Sequence, residues 1–400
     1  NGFFSENDYK KLQSCSVSLS HRGPDDWQSH NYNKYAVSFY RLSIQDPLKG
    51  QQPVTSHSTQ YALVLNGEIY NHIQLREQYL SDIAFHTNSD AETAVEMIER
   101  YGLTRSLNLF NGMFSLAIYN KKTRSLSVAR DRFGIKPLYY SKVKNQTIFA
   151  SEVSVISSYL DNLKSPREAS IAEYLVFWYI CEPCTIYDEI FSLKPGHILE
   201  VEPGEDIKEV RWWFPNLQHI EESNFNTYVD ELNHLISDSV QLRLLSDQPV
   251  TCLMSGGLDS TLIASYIKDH AKHDISAFTL TQKFNSYDES FDALNQARYL
   301  GINLKEYQQS EPSIDHLYSI FATLDQPLGN ASFIGSHNIF NHVSNEGYKV
   351  CLTGDGADEI FGGYPTYQIA KLSKIWDILP ESVKKFISKY SNKLPVSHNR

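Results

Sequence analysis

The sequence predicts two domains of different class: an α+β first half over residues 1–205 and an α/β second half with a parallel sheet over residues 225–400, joined by a linker at 206–224. Three observations predict it. Short β-branched and aromatic runs crowd the first half, with helices set apart from them. From about Asn224 strand and helix patterns alternate, the rhythm of a parallel sheet with helices on both sides. A buried-strand pattern, Pro249–Met254, then runs directly into Ser255-Gly256-Gly257-Leu258-Asp259-Ser260, a loop suited to phosphate.

Composition supports a globular chain. Its 400 residues allow two or three domains. With 41% hydrophobic and 21% charged residues, disordered and collagen-like classes are set aside. A net charge of −11 without a basic stripe argues against a nucleic-acid partner, and Lys371–Lys393 reads as a solvated helix face. No run approaches the ~20 apolar residues of a membrane span, and Asn1–Glu6 is not a signal peptide, so no membrane partner and a cytoplasmic location are expected. Five sparse cysteines do not make a disulfide framework. Cys181-Glu182-Pro183-Cys184 lacks the second pair of a metal site and reads as structural. Cys252 and Cys351 read as small core residues.

In the first half, strands are expected at Tyr35–Ile44, Tyr61–Asn66, Met113–Tyr119, Ser125–Arg130, Pro137–Lys142 and Thr147–Ser151. Asn66-Gly67 and Asn111-Gly112 read as turn punctuation. Helices are expected at Asn71–Leu80 and Ala91–Tyr101, the second opened by a capping box of Ser89 and Glu92. In the second half the reading is helix Phe225–Leu245, strand Pro249–Met254, helix Thr261–Lys272, strand Ile275–Thr281, helix Asp288–Leu300 and strand Tyr348–Leu352.

The loop at 255–260 combines several devices. Glycines let the backbone approach phosphate oxygens with positive φ. Successive amides form an anion nest, and the following helix adds its amino-terminal dipole. Two serines add hydroxyl donors. Asp259 would repel phosphate alone, which points to a bridging divalent cation, most simply Mg2+. The GxxxxGK[ST] pattern is absent, so this is not a Walker A loop. A second loop, Thr353-Gly354-Asp355-Gly356-Ala357-Asp358-Glu359, follows strand Tyr348–Leu352. Ligands of open α/β sheets bind beyond strand carboxyl ends, so the two loops are expected to converge on one ATP, with Asp259 and Asp358 sharing the metal.

The first half offers complementary groups. Arg41 suits a carboxylate, Asp90 and Glu68 suit an ammonium, and the Asn66 side chain with the Gly67 amide suits an oxyanion. An amino-acid amide carries all three partners. On these motifs the chain resembles the glutamine-hydrolysing asparagine synthetase family. The shared stretches are His21–Asp26, Arg41–Ile44, Asn66–Asn71, Ser89-Asp90, Asn111–Phe114, Arg130–Leu138, Ser255–Ser260, Tyr287-Asp288-Glu289 and Gly354–Tyr364, in family order over about residues 1–365.

The resemblance implies an N-terminal-nucleophile glutaminase of αββα layers joined to an ATP-pyrophosphatase-type synthetase domain. By it, Arg41, Asn66, Gly67, Glu68 and Asp90 hold glutamine, with Asn66 and Gly67 as the oxyanion hole. Met254, Leu280, Thr353 and Gly354 touch the nucleotide, and Ser255, Gly256, Gly257, Asp259 and Ser260 grip its pyrophosphate end. Asp355 takes the place of an acid, usually Glu, tied to forming the acyl-adenylate. The implied partners are glutamine, aspartate or another carboxylate, and ATP with Mg2+; a homodimer is allowed.

The chain departs from the family pattern in three places. The family nucleophile is an amino-terminal cysteine whose own α-amine is the base; here it is expected just upstream of Asn1, with Gly2-Phe3 matching the residues that follow. No cysteine in the chain replaces it, so the chain as written is expected not to hydrolyse glutamine. The synthetase domain is expected to be truncated, since no family motif follows Tyr364. Asp325-Gln326-Pro327 resembles the family's Asp-Glu-Pro acceptor segment with Gln for Glu, which leaves other acceptors such as sugar acids open. Rival readings are a β-lactam-synthetase-like ligase without glutaminase and a non-catalytic regulator. The complete Arg41–Asp90 set argues against the first, and Asp259 with Asp358 against the second.

Overall fold

The computed structural model describes residues 5–32, 34–143, 146–161, 165–202, 205–216, 224–271, 273–281, 289–309 and 311–385. Gly2-Phe3, Tyr287-Asp288 and the part of Lys371–Lys393 past residue 385 lie outside them.

The first half runs α1 (Glu6–Ser16), β1 (Asp26–Asn31), β2 (Ala36–Arg41), β3 (Val54–Thr55), β4 (Tyr61–Ile69), α2 (His72–Tyr79), α3 (Asp90–Tyr101), α4 (Leu103–Leu109), β5 (Gly112–Asn120) and β6 (Ser125–Arg130). It continues with β7 (Tyr139–Val143), β8 (Gln146–Ala150), α5 (Val153–Leu160), α6 (Glu168–Phe177), β9 (Phe191–Ser192), β10 (His197–Val201) and β11 (Lys208–Arg211). Its main sheet is six-stranded, ordered β11-β10-β6-β5-β4-β3 with antiparallel pairs throughout.

Alternation along the strands sorts the side chains. Leu63, Leu65, Leu116, Ile118 and Ala129 face a core shared with Leu75 of α2, Leu107 of α4 and the α3 stripe Ala91, Ala94, Val95 and Ile98. On the opposite face, Tyr119, Leu126, Val128 and Leu199 pack with Leu138 and Leu193 of a second layer. That layer comprises the β1-β2 hairpin and the β8-β7-β9 sheet. Ile148 of β8 packs against Val153, Ile156 and Tyr159 of α5, with Leu12 and Cys15 of α1 beside them. The order is helix, sheet, sheet, helix, as the resemblance implies.

The second half runs α7 (Phe225–Arg243), β12 (Val250–Leu253), α8 (Leu258–His270), β13 (Ser276–Thr281), α9 (Ser290–Leu300), β14 (Asn303–Gln308), α10 (Ile314–Phe321), α11 (Ser332–Asn345), β15 (Val350–Leu352), α12 (Ala357–Phe361) and α13 (Pro365–Ile378). Its four strands pair in parallel in the order β14-β13-β12-β15. One face packs on α7, α8 and α9 through Val240, Ala264, Ile267, Ala293 and Ala297. The other packs on α11 through Phe278, Ile339 and Val343.

Three local readings change. Asn66-Gly67 is not a turn but lies inside β4, where Gly67 pairs with Phe114. The glycine is required there for a different reason: its φ is +140°, and a Cβ would sit 2.0 Å from the Met113 carbonyl oxygen. The expected capping box is half made. Ser89 Oγ accepts the Ala91 amide, but Glu92 accepts the His86 and Thr87 amides instead of closing back on Ser89. The stretch read as a linker holds β11, and Trp212 packs in the first-half core beside Phe114.

Strands β1, β3, β9, β10, β11 and β14, and helices α4, α5, α6, α10, α11 and α12, have no counterpart in the sequence reading. Cys15 lies in α1, Cys252 is completely buried, and all five thiols are free. Among the described residues no helix is long and apolar enough to cross a membrane.

Candidate functional site

Arg41, Asn66, Gly67, Glu68 and Asp90 all line one cavity of about 1960 Å³ between the two sheet layers of the first half, so the structure brings the predicted residues together. Asp90 opens α3 and is 5% exposed. It accepts the Ile69 amide at 2.8 Å. Burial nevertheless dominates and pushes its carboxyl up to about 6. Glu68 is raised well above the usual carboxylate range, by burial first and then by the Asp90 charge. Two neighbouring carboxyls that resist ionisation together form a receptor for a cation.

Arg41 closes the other side. Its Nη2 donates to the carbonyls of Gln45 (2.8 Å) and Asp46 (2.9 Å), and Nη1 donates to that of Pro47 (3.3 Å). A guanidinium has five N–H donors, so the loop orients the fork without consuming it. Asn66 Nδ2 donates to Ser151 Oγ at 3.3 Å and retains a second hydrogen.

Sequence reasoning missed several supporting groups. Lys136 lines the same cavity, and burial lowers its pKa although Glu68 and Asp131 counter it. The segment carrying Lys136 is folded around Asp131, whose buried carboxylate accepts the amides of Phe114, Phe133, Ile135 and Lys136 at 3.0–3.2 Å. Arg76 donates to the Thr87 and Ser89 carbonyls and so holds the entry to α3. The Arg130–Leu138 motif was visible in sequence, but its function as a folded clasp was not.

In the second half, β12 delivers the 255–260 loop to the amino terminus of α8. Gly256 has φ +90°, and a Cβ there would lie 2.7 Å from the Glu289 carbonyl oxygen. Gln296 Nε2 donates to the Gly256 carbonyl at 2.8 Å. The serines brace the loop: Ser255 N–H donates to Ser260 Oγ (3.1 Å), and Gly257 N–H donates to Ser255 Oγ (3.3 Å). The neighbouring strand β15 delivers Thr353 and Gly354, and Gly354 packs so closely that a Cβ would lie 2.9 Å from the Ser260 nitrogen and 3.0 Å from the Asp259 Cβ. The two loops therefore touch.

Thr353 Oγ1 donates to Asp355 Oδ2 at 2.7 Å. Asp358 sits in the first turn of α12. Met254 is completely buried among core residues, so its side chain faces away from the loop surface, whereas Leu280 lines a separate cavity of about 490 Å³ with Ser332 and Ser336 of α11.

The segment read as an acceptor region does something else with its first two side chains. Asp325 accepts the Val153 and Ser154 amides at 2.5 and 2.8 Å, capping α5 of the first half. Gln326 Oε1 accepts the Ile186 amide at 3.0 Å. Residues 325–326 thus join the two halves.

Comparison with known proteins finds a separate family match in each half. The family described as a glutamine amidotransferase domain matches residues 2–213, and the asparagine synthase family matches 231–398, well past the last motif at Tyr364. Asparagine synthetase [glutamine-hydrolyzing] 1 of Bacillus subtilis is 31% identical over 94% of this chain and 59% of its own length. Asparagine synthetase [glutamine-hydrolyzing] 2 of the same organism is 32% identical over 93% of this chain and 52% of its own. A protein named amidase chry2 from Gibberella zeae is 27% identical over 91% and 57%. The chain thus spans a little over half the length of these curated relatives.

Proposed function

The chain belongs to the glutamine amidotransferase domain family and continues into an asparagine synthase domain, and from that premise we propose that it amidates a carboxylate, aspartate first among candidates, using ATP and nitrogen from glutamine. One observation carries the reading: the cavity lined by Arg41, Asn66, Gly67, Glu68 and Asp90 extends to Phe340 of α11, in the second half. The cavity that holds the donor site thus reaches a residue of the acceptor domain. Ammonia released into bulk water protonates and loses its lone pair; an enclosed route preserves the nucleophile.

In this reading the Arg41 fork takes the glutamine carboxylate, Asp90 and Glu68 take the ammonium, and Asn66 with the Gly67 amide receives the oxyanion of the attacked amide. The family resemblance assigns the nucleophile to an amino-terminal cysteine, and no cysteine among the described residues lines the cavity. In the second half the 255–260 amides and the α8 terminus hold the pyrophosphate of ATP. The acceptor carboxylate displaces it at the α-phosphate, Asp355 stands beside Thr353 at that strand end, and ammonia then displaces AMP to leave the amide.

Mg2+ fits the donor set. It commonly takes one or two carboxylates plus phosphate oxygens rather than an all-protein cage, and the first turns of α8 and α12 each offer such a carboxylate. Asp259 and Asp358 are the carboxylates that would hold it, and when bound it would neutralise the charge of the departing pyrophosphate. A cytoplasmic setting suits free ATP and amino-acid substrates.

Pyrophosphate release tests the reading. With ATP, Mg2+ and an ammonium salt, release that depends on aspartate is expected. Release that depends on a different carboxylate instead removes the asparagine assignment and keeps the ligase; no carboxylate-dependent release removes both.

A further inference from the structure

The wall of the glutamine cavity at residues 41–47 is held from outside, by the second half of the chain, at two points. Lys349 Nζ donates to Asp25 Oδ2 at 2.7 Å, and the same oxygen accepts the Ser43 amide at 2.7 Å. Nearby, the Asp46 amide donates to Asp247 Oδ2 at 2.7 Å, while the Asp247 amide donates to the Ile44 carbonyl at 3.2 Å. These contacts continue inward. The Asp46 carboxylate accepts the Asn88 amide at 2.8 Å, beside the Asp90 helix entry. The Asp46 and Gln45 carbonyls orient Arg41, and Gln45 Nε2 donates to Glu68 Oε2 at 2.5 Å. Asp46 itself has φ +43°, a left-handed conformation that a non-glycine residue adopts at a cost and holds here under external restraint.

The two outside residues have a common position. Asp247 precedes β12 and Lys349 precedes β15, and these strands are direct parallel neighbours, Val250 opposite Val350 and Cys252 opposite Leu352. Their far ends are the 255–260 and 353–359 loops. A four-residue strand spans about 13 Å, so each strand links a grip on the glutamine wall to a phosphate loop through a short, sheet-paired segment.

We propose that Asp247 and Lys349 are positioning residues through which the nucleotide loops set the shape of the glutamine pocket, so that nucleotide and glutamine bind with mutual coupling. This rests on the reading of the Arg41–Asp90 cavity as a glutamine site. Neither residue touches either ligand in that scheme. The element they bias is the strained 44–47 loop, and linkage makes the effect reciprocal.

Calorimetric titration of L-glutamine into the whole chain, with and without saturating α,β-methylene ATP, tests it, since that analogue resists cleavage at the α–β bond. In the wild type the analogue is expected to tighten glutamine binding about fivefold. Asp247→Ala and Lys349→Met are expected to weaken glutamine about tenfold and bring the coupling ratio to one, leaving the affinity for the analogue alone within about twofold, which also reports an intact second domain. Asp247→Asn retains an acceptor oxygen for the Asp46 amide and is expected to keep most of the coupling. A wild-type ratio of one, or ratios unchanged in Asp247→Ala and Lys349→Met, overturns the inference while glutamine binding by the wild type leaves the pocket reading in place. No glutamine binding by the wild type under either condition overturns the pocket reading and this inference together.

Discussion

The cavity of the first half and the loops of the second recognise charge by opposite means. The first relies on buried side chains. Asp90, Glu68, Lys136 and Arg41 are brought out of water between two sheets, and each is perturbed by that burial. The second relies on backbone. Its amides, a helix terminus and glycines at Gly256, Gly354 and Gly356 form a surface at adjacent strand ends, and Asp355 and Glu359 there are exposed. The difference follows from the ligands each suits. A zwitterionic amino acid needs separate, fixed charges of both signs. A pyrophosphate needs many weak donors within one concave surface. The first site should therefore be sensitive to charge and pH, and the second to any added Cβ.

The sharpest way to break that contrast is Asp131→Ala. The substitution strips four amides of their buried acceptor, and a loss of about 3–5 kcal/mol in unfolding free energy is expected from denaturant titration. A loss below 1 kcal/mol would mean that the 131–136 segment is not organised by that carboxylate.

Next in size is Gly256→Ala. Positive φ and the Glu289 carbonyl oxygen leave no room for a methyl group, so nucleotide affinity should fall about 100-fold, while glutamine binding without nucleotide remains within about twofold. Equal damage to both sites would erase the distinction between them.

The smallest expected effect concerns pH. Asp90 has a folded pKa near 6 against 3.8 ordinarily, so its contribution to stability is fully present below pH 3.8 and is lost as pH rises through about 6. A bound ammonium favours the ionised carboxyl, so glutamine affinity should rise through the same window. Asp90→Asn is expected to flatten the affinity–pH profile between pH 4 and 7, and a profile as steep as the wild type's would assign the titration elsewhere.

Much of this was legible from local pattern. Strand Ser125–Arg130 and the start of helix Phe225 coincide with their readings, because alternation and period record which face is buried. The polar strand β1, Asp26–Asn31, left no such trace: its residues are half-buried or exposed, and it is a strand because β2 pairs with it. The edge strand β14 is similar, held by β13 alone. Asn66-Gly67 misled in the other direction, since a common turn pair sits where Met113 and Phe114 approach too closely for any side chain.

By itself the sequence determined the donor chemistry: glycines where φ must be positive, a strand–loop–helix order that exposes amides, and the residue types suited to an amide substrate. These depend on neighbours in the chain. Tertiary structure alone decided which carboxyls are buried together, that Gly354 lies against Asp259, and that Asp247, Asp325 and Lys349 reach partners 201, 172 and 324 positions away. Such contacts arise from the stacking of whole layers, and a single aspartate or lysine in a loop carries no periodic mark of the amide or carboxylate it will meet.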